Sequence, residues 1–154
     1  MMNTATDPLQ NQAVAEAAGK LLADSYTLYL KTHNYHWNVV GPMFNSLHLL
    51  FESQYTELAQ AVDEIAERIR ALGHHAPGSY AEFSQLSNME EAQPNTSAQD
   101  MLRHLANDQR QLAASAMALL EVAEEKGDAA TVDLATRRIE THQKNAWMLQ
   151  SHLE

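Results

Sequence analysis

Histidines and carboxylates at helical spacing are the residues of this chain best suited to chemistry. The sequence places His48 and Glu52 four residues apart, and Asp63 and Glu67 have the same separation. Residues four apart lie on one face of a helix, so each pair could hold a single metal ion. At 3.6 residues per turn, the three carboxylates lie about 40°, 60° and 100° around the helix from His48, so all four side chains share one stripe.

The two pairs are nevertheless too far apart to bind one ion within a straight helix. Glu52 and Asp63 are separated by about 16 Å along the axis at 1.5 Å per residue, whereas bonds from protein ligands to such ions are about 2.0–2.6 Å long. The pairs could meet if the same helix of a second subunit ran antiparallel to the first, because a two-fold axis would then create two equivalent sites. The stripe therefore predicts a metal site shared between subunits.

Histidine and carboxylate ligands suit iron, and also zinc or manganese. We expect His36, at the end of the predicted first helix, to lie close to His48 and Glu52 if the first two helices pack antiparallel. The sequence has no Glu-x-x-His motif. That motif supplies the metal sites at the centre of some helix bundles, so its absence favours an interface site. Carboxylates four residues apart are also common on solvated helix faces, so the spacing alone leaves that alternative open.

Composition limits the remaining function classes. The 154 residues are 45% hydrophobic, which is enough for one folded domain with a core. Cysteine is absent, which excludes disulfides and cysteine-based zinc or iron–sulfur sites. We expect a cytoplasmic protein with no membrane partner, because no apolar run reaches membrane-spanning length and no secretory signal is present. The net charge of −10 discourages nucleic-acid binding and suits cations.

Glycine and proline divide the chain into helical segments with no strand pattern, so we predict an all-α fold. Two helical hairpins joined by a long crossover that carries a short helix are typical of a ferritin-like four-helix bundle. Met117 is expected to point inward, and Trp147 is expected in the core. The predicted parts are a tail at 1–7 and a bundle domain at 8–154, with helices at 8–38, about 42–72, 80–86, about 97–126 and about 128–152.

These motifs resemble the Dps family, the mini-ferritins of starved bacteria, over nearly the whole chain. The resemblance implies a hollow dodecamer that oxidises Fe(II) at two-fold interfaces, usually with hydrogen peroxide, and stores ferric mineral. It implies iron as substrate and product, zinc as a possible competitor, and no haem. The residues that carry it are the run 33–39, Gly41, Phe44, Leu47, His48, Phe51, Glu52, the run 63–68, His142, Lys144 and the run 147–149.

The resemblance also assigns roles to individual residues. It implies that His36 and His48 bind iron from one subunit, while Asp63 and Glu67 come from its neighbour. Glu52 stands where the family often has aspartate, so a second metal ion could sit closer or be bridged differently. Trp37 would lie near the centre and could take up stray oxidising equivalents. His33 is expected to support the ligands, with a role as third ligand as the alternative.

Acidic residues near the end of the third long helix resemble those that line the family's three-fold pores. We expect Asp128 and Asp133 to line such a pore, and Glu124 less so; a helix cap with solvated charge is the alternative. Many family members condense DNA through lysine-rich tails, but residues 1–19 and 145–154 contain no lysine or arginine. A nucleoid-condensing protein and a bundle that binds zinc only for assembly are the rival functions.

Overall fold

The computed structural model describes residues 7–154, which form five helices and no strand. The all-α prediction is confirmed, and the predicted helix bounds agree with the observed ones to within about two residues. Apart from Asp7, the predicted tail lies outside the described residues. The helices are α1 (Pro8–Asn38), α2 (Phe44–Ala71), α3 (Tyr80–Leu86), α4 (Ala98–Glu125) and α5 (Ala129–Ser151).

The four long helices form a closed bundle of two hairpins. α1 packs against α2 and α4 against α5, while α1 also contacts α4 and α2 contacts α5. The long crossover from α2 to α4 carries α3, which packs on α1. This is the ferritin-like arrangement that the sequence predicts. Within residues 7–154, every helix is too short or too polar to cross a lipid bilayer.

Capping residues explain where the helices begin and end. The Asp7 carboxylate accepts the backbone N–H of Leu9 at 3.2 Å, and Ser97 and Asp128 cap α4 and α5 in the same way. After α2, Gly73 has φ +89°, and a Cβ at this position would lie 2.8 Å from Pro8 Cγ. Only glycine fits this turn, because a side chain would clash and the backbone lies in the left-handed region.

The core follows the three-and-four spacing of apolar residues, although two residues that were expected to point inward are exposed. The stripe of α2 includes Leu47, Phe51 and Leu58, all fully buried. Met117 and Trp147, however, are 41% and 65% exposed, so the predictions that they point inward are wrong. Each directly follows a buried alanine, and one residue along a helix is a rotation of about 100°, which turns both side chains away from the core.

Two buried polar clusters join α1 to the crossover and to α4, and in the second Lys31 Nζ also donates to the Glu90 carbonyl oxygen of the crossover at 2.9 Å. The Asp24 carboxylate on α1 accepts Ser87 Oγ of the crossover at 2.7 Å and Ser115 Oγ of α4 at 2.8 Å. Nearby, Lys31 Nζ lies 2.8 Å from Asp108 Oδ2, with both side chains less than one-tenth exposed. These contacts join α1 to α4. They therefore fix the position of α1, whose last turn carries His36.

Candidate metal centre

A pair of histidines at the turn between α1 and α2 forms the first part of the site. The rings of His36 and His48 stack with centroids 3.8 Å apart and an interplanar angle of 13°. His36 Nδ1 donates to the His48 carbonyl oxygen at 2.7 Å, and His48 Nδ1 donates to the His36 carbonyl oxygen at 2.8 Å. The His36 carbonyl belongs to the last turn of α1, where helical partners run out, so the His48 ring also caps that helix.

These two hydrogen bonds determine which ring nitrogens are available. A carbonyl oxygen only accepts, so each Nδ1 carries a proton, and in the neutral form of each ring the lone pair is on Nε2. Metal-binding histidines are commonly oriented by such a bond from the other nitrogen. His36 is buried and His48 half-buried. The pair therefore presents two oriented Nε2 donors.

The five acidic side chains of α2 divide into two groups. Glu57 pairs with Arg138, and Glu64 pairs with Arg137 at 2.6 Å, both arginines lying on α5. The hydrogen bond from Arg137 lowers the pKa of the Glu64 carboxyl. The other three are exposed and form no ion pair within the described part of the chain, and they are the three that the stripe predicts as ligands: Glu52, Asp63 and Glu67.

A single subunit does not assemble a complete metal site. Among residues 7–154, no three histidine or carboxylate side chains come together in a way that could hold an ion. The structure brings His36 and His48 together, but it does not bring Glu52, Asp63 or Glu67 into such a cluster with them. Asp63 and Glu67 lie further along the same continuous helix, as the axial separation of about 16 Å requires.

Aromatic rings pack directly beside the histidine pair. The His33 ring lies between Trp37 and Tyr55, with centroid distances of 3.9 Å and 4.2 Å. The edge of Tyr55 meets the His36 ring at 5.2 Å. Burial, and then repulsion from the positive charge that His36 carries when it is protonated, lower the pKa of His33 below its usual value. His33 is thus a neutral ring at pH 7 that supports its neighbours, and this packing favours the supporting role over that of a third ligand.

The three pore candidates occupy different environments. Asp128 is buried; its carboxylate caps α5 at Thr131 N and lies 2.8 Å from the Arg68 guanidinium. This placement argues against Asp128 as a pore residue and supports the helix-cap alternative. Asp133 is exposed and bonds Arg137 at 3.0 Å, and Glu124 is exposed near the end of α4. These two remain the predicted pore residues.

Sequence reasoning missed two features of the site's surroundings. Tyr55 reads as a core residue by periodicity, yet it is half-buried at the edge of the histidine pair. A buried network also joins α2, α4 and α5, because Arg138 contacts both Glu57 and His142, and His142 bonds Gln109. The sequence signal for this network is the spacing of Arg138 and His142, which lie four residues apart on a mostly apolar helix face.

Comparison with known proteins shows which family the chain resembles. A model of the ferritin-like domain matches residues 15–154. A low temperature-induced protein of Nostoc sp. is 42% identical, over 94% of this chain and 82% of the relative. The DNA protection during starvation protein 2 of Bacillus anthracis is 36% identical, over 93% of this chain and 98% of the relative.

A solved structure agrees with both sequence comparisons. The Dps protein of Vibrio cholerae O1, described as a member of a broad superfamily of ferritin-like diiron-carboxylate proteins, superposes with a TM-score of 0.92 at 32% identity. The match covers 96% of this chain and 93% of that one. With its ferritin-like bundle and a domain match over residues 15–154, the chain belongs to the Dps family.

Proposed function

We propose that this protein oxidises Fe(II) at sites shared between two subunits. The observation that carries the proposal is the division of acidic residues on α2. Within residues 7–154, three carboxylates of the stripe form no ion pair, while their neighbours on the same helix are neutralised by arginine. In the proposed site, His36 and His48 of one subunit face Asp63 and Glu67 of its two-fold mate. Glu52, one helical turn after His48, provides a further oxygen ligand.

Exposed apolar side chains around the histidine pair support a subunit interface there. Trp37 is 58% exposed, Val40 72%, Phe44 43% and Leu49 52%, all within the segment that carries both histidines. A cluster of large apolar side chains facing water is typical of a surface that another protein covers. A second copy packed on this segment would bury these residues and bring its carboxylates to the site.

The proposed ligands fit the substrate. Imidazole nitrogen with carboxylate oxygen suits iron, and the carboxylates offset its positive charge. In the neutral form of each ring the proton is held on Nδ1, so Nε2 is the nitrogen whose lone pair can bind the metal ion. Two Fe(II) ions held together supply the two electrons that hydrogen peroxide requires: 2 Fe²⁺ + H₂O₂ + 2 H⁺ → 2 Fe³⁺ + 2 H₂O. Pairing the electrons in one site avoids release of a hydroxyl radical.

We further propose storage of the ferric product as mineral inside a dodecameric shell. The resemblance to the Dps family implies this assembly, and the exposed carboxylates of Asp133 and Glu124 suit a path for incoming cations. Protection of DNA, named in the Bacillus anthracis relative, would then follow from removal of iron and peroxide. The net charge of −10 gives no attraction to phosphate.

Two neighbouring residues on α2 provide a matched test. Asp63→Asn removes a proposed ligand, whereas Glu64→Gln removes a carboxylate that is bonded to Arg137. Peroxide-driven Fe(II) oxidation should be lost in Asp63→Asn and retained in Glu64→Gln, measured by ferric absorbance in shells of unchanged size. Equal activity of the two variants would overturn the proposed ligand set. Added zinc should slow Fe(II) oxidation by the wild type, because it competes for the same ligands. If the protein instead bound zinc only for assembly, the wild type would not oxidise Fe(II) at all.

A further inference from the structure

A continuous row of aromatic rings leads away from the histidine pair along α1. Beyond the His33 stack, Tyr55 contacts Tyr29 at a centroid distance of 5.9 Å, and Tyr29 contacts Tyr26 at 5.7 Å. Tyr26 in turn stacks on Phe83 at 5.0 Å. The three tyrosines are half-buried. Iron binding requires none of these phenols, so the row needs a different explanation.

We propose that Tyr55, Tyr29 and Tyr26 form an electron relay that carries oxidising equivalents from the iron site to the subunit surface. The relay rests on the proposed iron oxidation, since that reaction supplies the oxidant. Tyr55 is its first member because its ring touches both His36 and the His33–Trp37 stack. Each further step joins two neighbouring rings, with centroid distances of 5.9 Å from Tyr55 to Tyr29 and 5.7 Å from Tyr29 to Tyr26.

The relay acts when only one Fe(II) ion is present at the site. Peroxide then takes one electron from iron and one from a phenol: H₂O₂ + Fe²⁺ + TyrOH + H⁺ → Fe³⁺ + TyrO• + 2 H₂O. A phenol is protonated at pH 7, because its ordinary pKa is about 10, so Tyr55 releases its proton to water on oxidation. An electron from Tyr29, and then one from Tyr26, restores the inner phenol as each proton is regained.

The outer end of the relay reaches open space. Tyr26 lines a groove of about 610 Å³ between α1 and α3, and it also lines a second cavity of about 360 Å³. A radical on Tyr26 is therefore accessible to a small reductant in solution, whereas one on Tyr55 would remain beside the ligands. Transport to Tyr26 moves the damage away from the iron site.

The relay can be tested without iron. Trp37 and Trp147 are the two tryptophans of the chain and both are exposed, so Trp147→Phe leaves Trp37 as the single entry point. Azide radicals generated by pulse radiolysis oxidise tryptophan selectively. We expect the tryptophanyl absorption to decay as the tyrosyl absorption rises, with a rate independent of protein concentration, because a tyrosyl radical is the more stable species at neutral pH.

Three tyrosine variants in that background locate the path. Tyr55→Phe preserves the ring packing and should abolish the conversion, whereas Tyr80→Phe, an exposed tyrosine outside the row, should leave it unchanged. Tyr29→Phe should keep the conversion but shift spin-trap labelling from the Tyr26 peptide to the Tyr55 peptide. Conversion that persists in Tyr55→Phe, or no conversion in Trp147→Phe itself, would overturn the relay. Both outcomes are measured without iron, so a failure of the relay can be distinguished from a failure of the proposed Fe(II) oxidation.

Discussion

Substitution of His142 by glutamine should weaken the acid sensitivity of the fold. His142 is fully buried; its Nδ1 donates to Gln109 Oε1 at 2.7 Å, and its Nε2 accepts from the Arg138 guanidinium at 3.2 Å. Burial, and then the charge of Arg138, lower the pKa of His142 from 6.5 to about 3. A proton on Nε2 would face a group that can only donate, so the folded state keeps this ring neutral.

The sign and size of the effect follow from the two pKa values. Between pH 6.5 and about 3 the unfolded chain protonates His142 and the folded chain does not. Because the unfolded state binds the extra proton, stability falls as the pH falls through this window and levels off below it. At about 1.4 kcal/mol per pH unit, the loss amounts to about 3 kcal/mol per subunit between roughly pH 8 and pH 4.

Urea unfolding at fixed subunit concentration measures this loss. The free energy of unfolding of the wild type should fall more steeply with decreasing pH than that of His142→Gln, and contributions from carboxylates common to both cancel in the difference. His75→Gln is the control, because that side chain is 78% exposed, and its curve should follow the wild type. If the curves of the wild type and His142→Gln run parallel from neutral pH to about pH 4, His142 is not held neutral by the fold.

Two further predictions concern a turn and the surface charge. Gly73→Ala should lower the free energy of unfolding by about 1 kcal/mol or more, since φ is +89° and Pro8 Cγ lies 2.8 Å from the new Cβ. Gly78→Ala has open space around the new Cβ, so thermal melts should show a smaller loss of stability for this variant than for Gly73→Ala. Plasmid DNA should be protected from Fe(II) and peroxide with no gel shift at neutral pH, and weak, salt-sensitive association should emerge only below about pH 6, where histidines charge. A tight shift at pH 8 in moderate salt would contradict this.

Local signals account for the accuracy of the helix bounds. Asp7 with Pro8, Ser97 and Asp128 are helix-start residues whose side chains bond to nearby backbone N–H groups, so a few residues of sequence contain the whole interaction. Gly73 ends α2 for an equally local reason. The same holds for the helical spacing of the proposed ligands, which depends only on 3.6 residues per turn.

Features that depend on packing between helices were not predictable. Nothing near Asp128 in the sequence indicates that Arg68, on another helix, pairs with it, so a cap and a pore residue could not be distinguished. Glu64 and Asp63 are adjacent acids, and only the position of α5 decides that Glu64 is the one neutralised. The exposed Trp147 illustrates the same limit, because a rotation of one residue decides between core and surface.

The most direct test of the shared iron site is complementation between two inactive variants. One carries His36→Ala with His48→Ala, and the other carries Asp63→Ala with Glu67→Ala; the two are co-expressed to form mixed shells. A two-fold pair of unlike subunits retains one intact site, so random mixing should restore about a quarter of the wild-type rate of Fe(II) oxidation. Mixed shells that oxidise Fe(II) no faster than either parent variant would contradict the shared site.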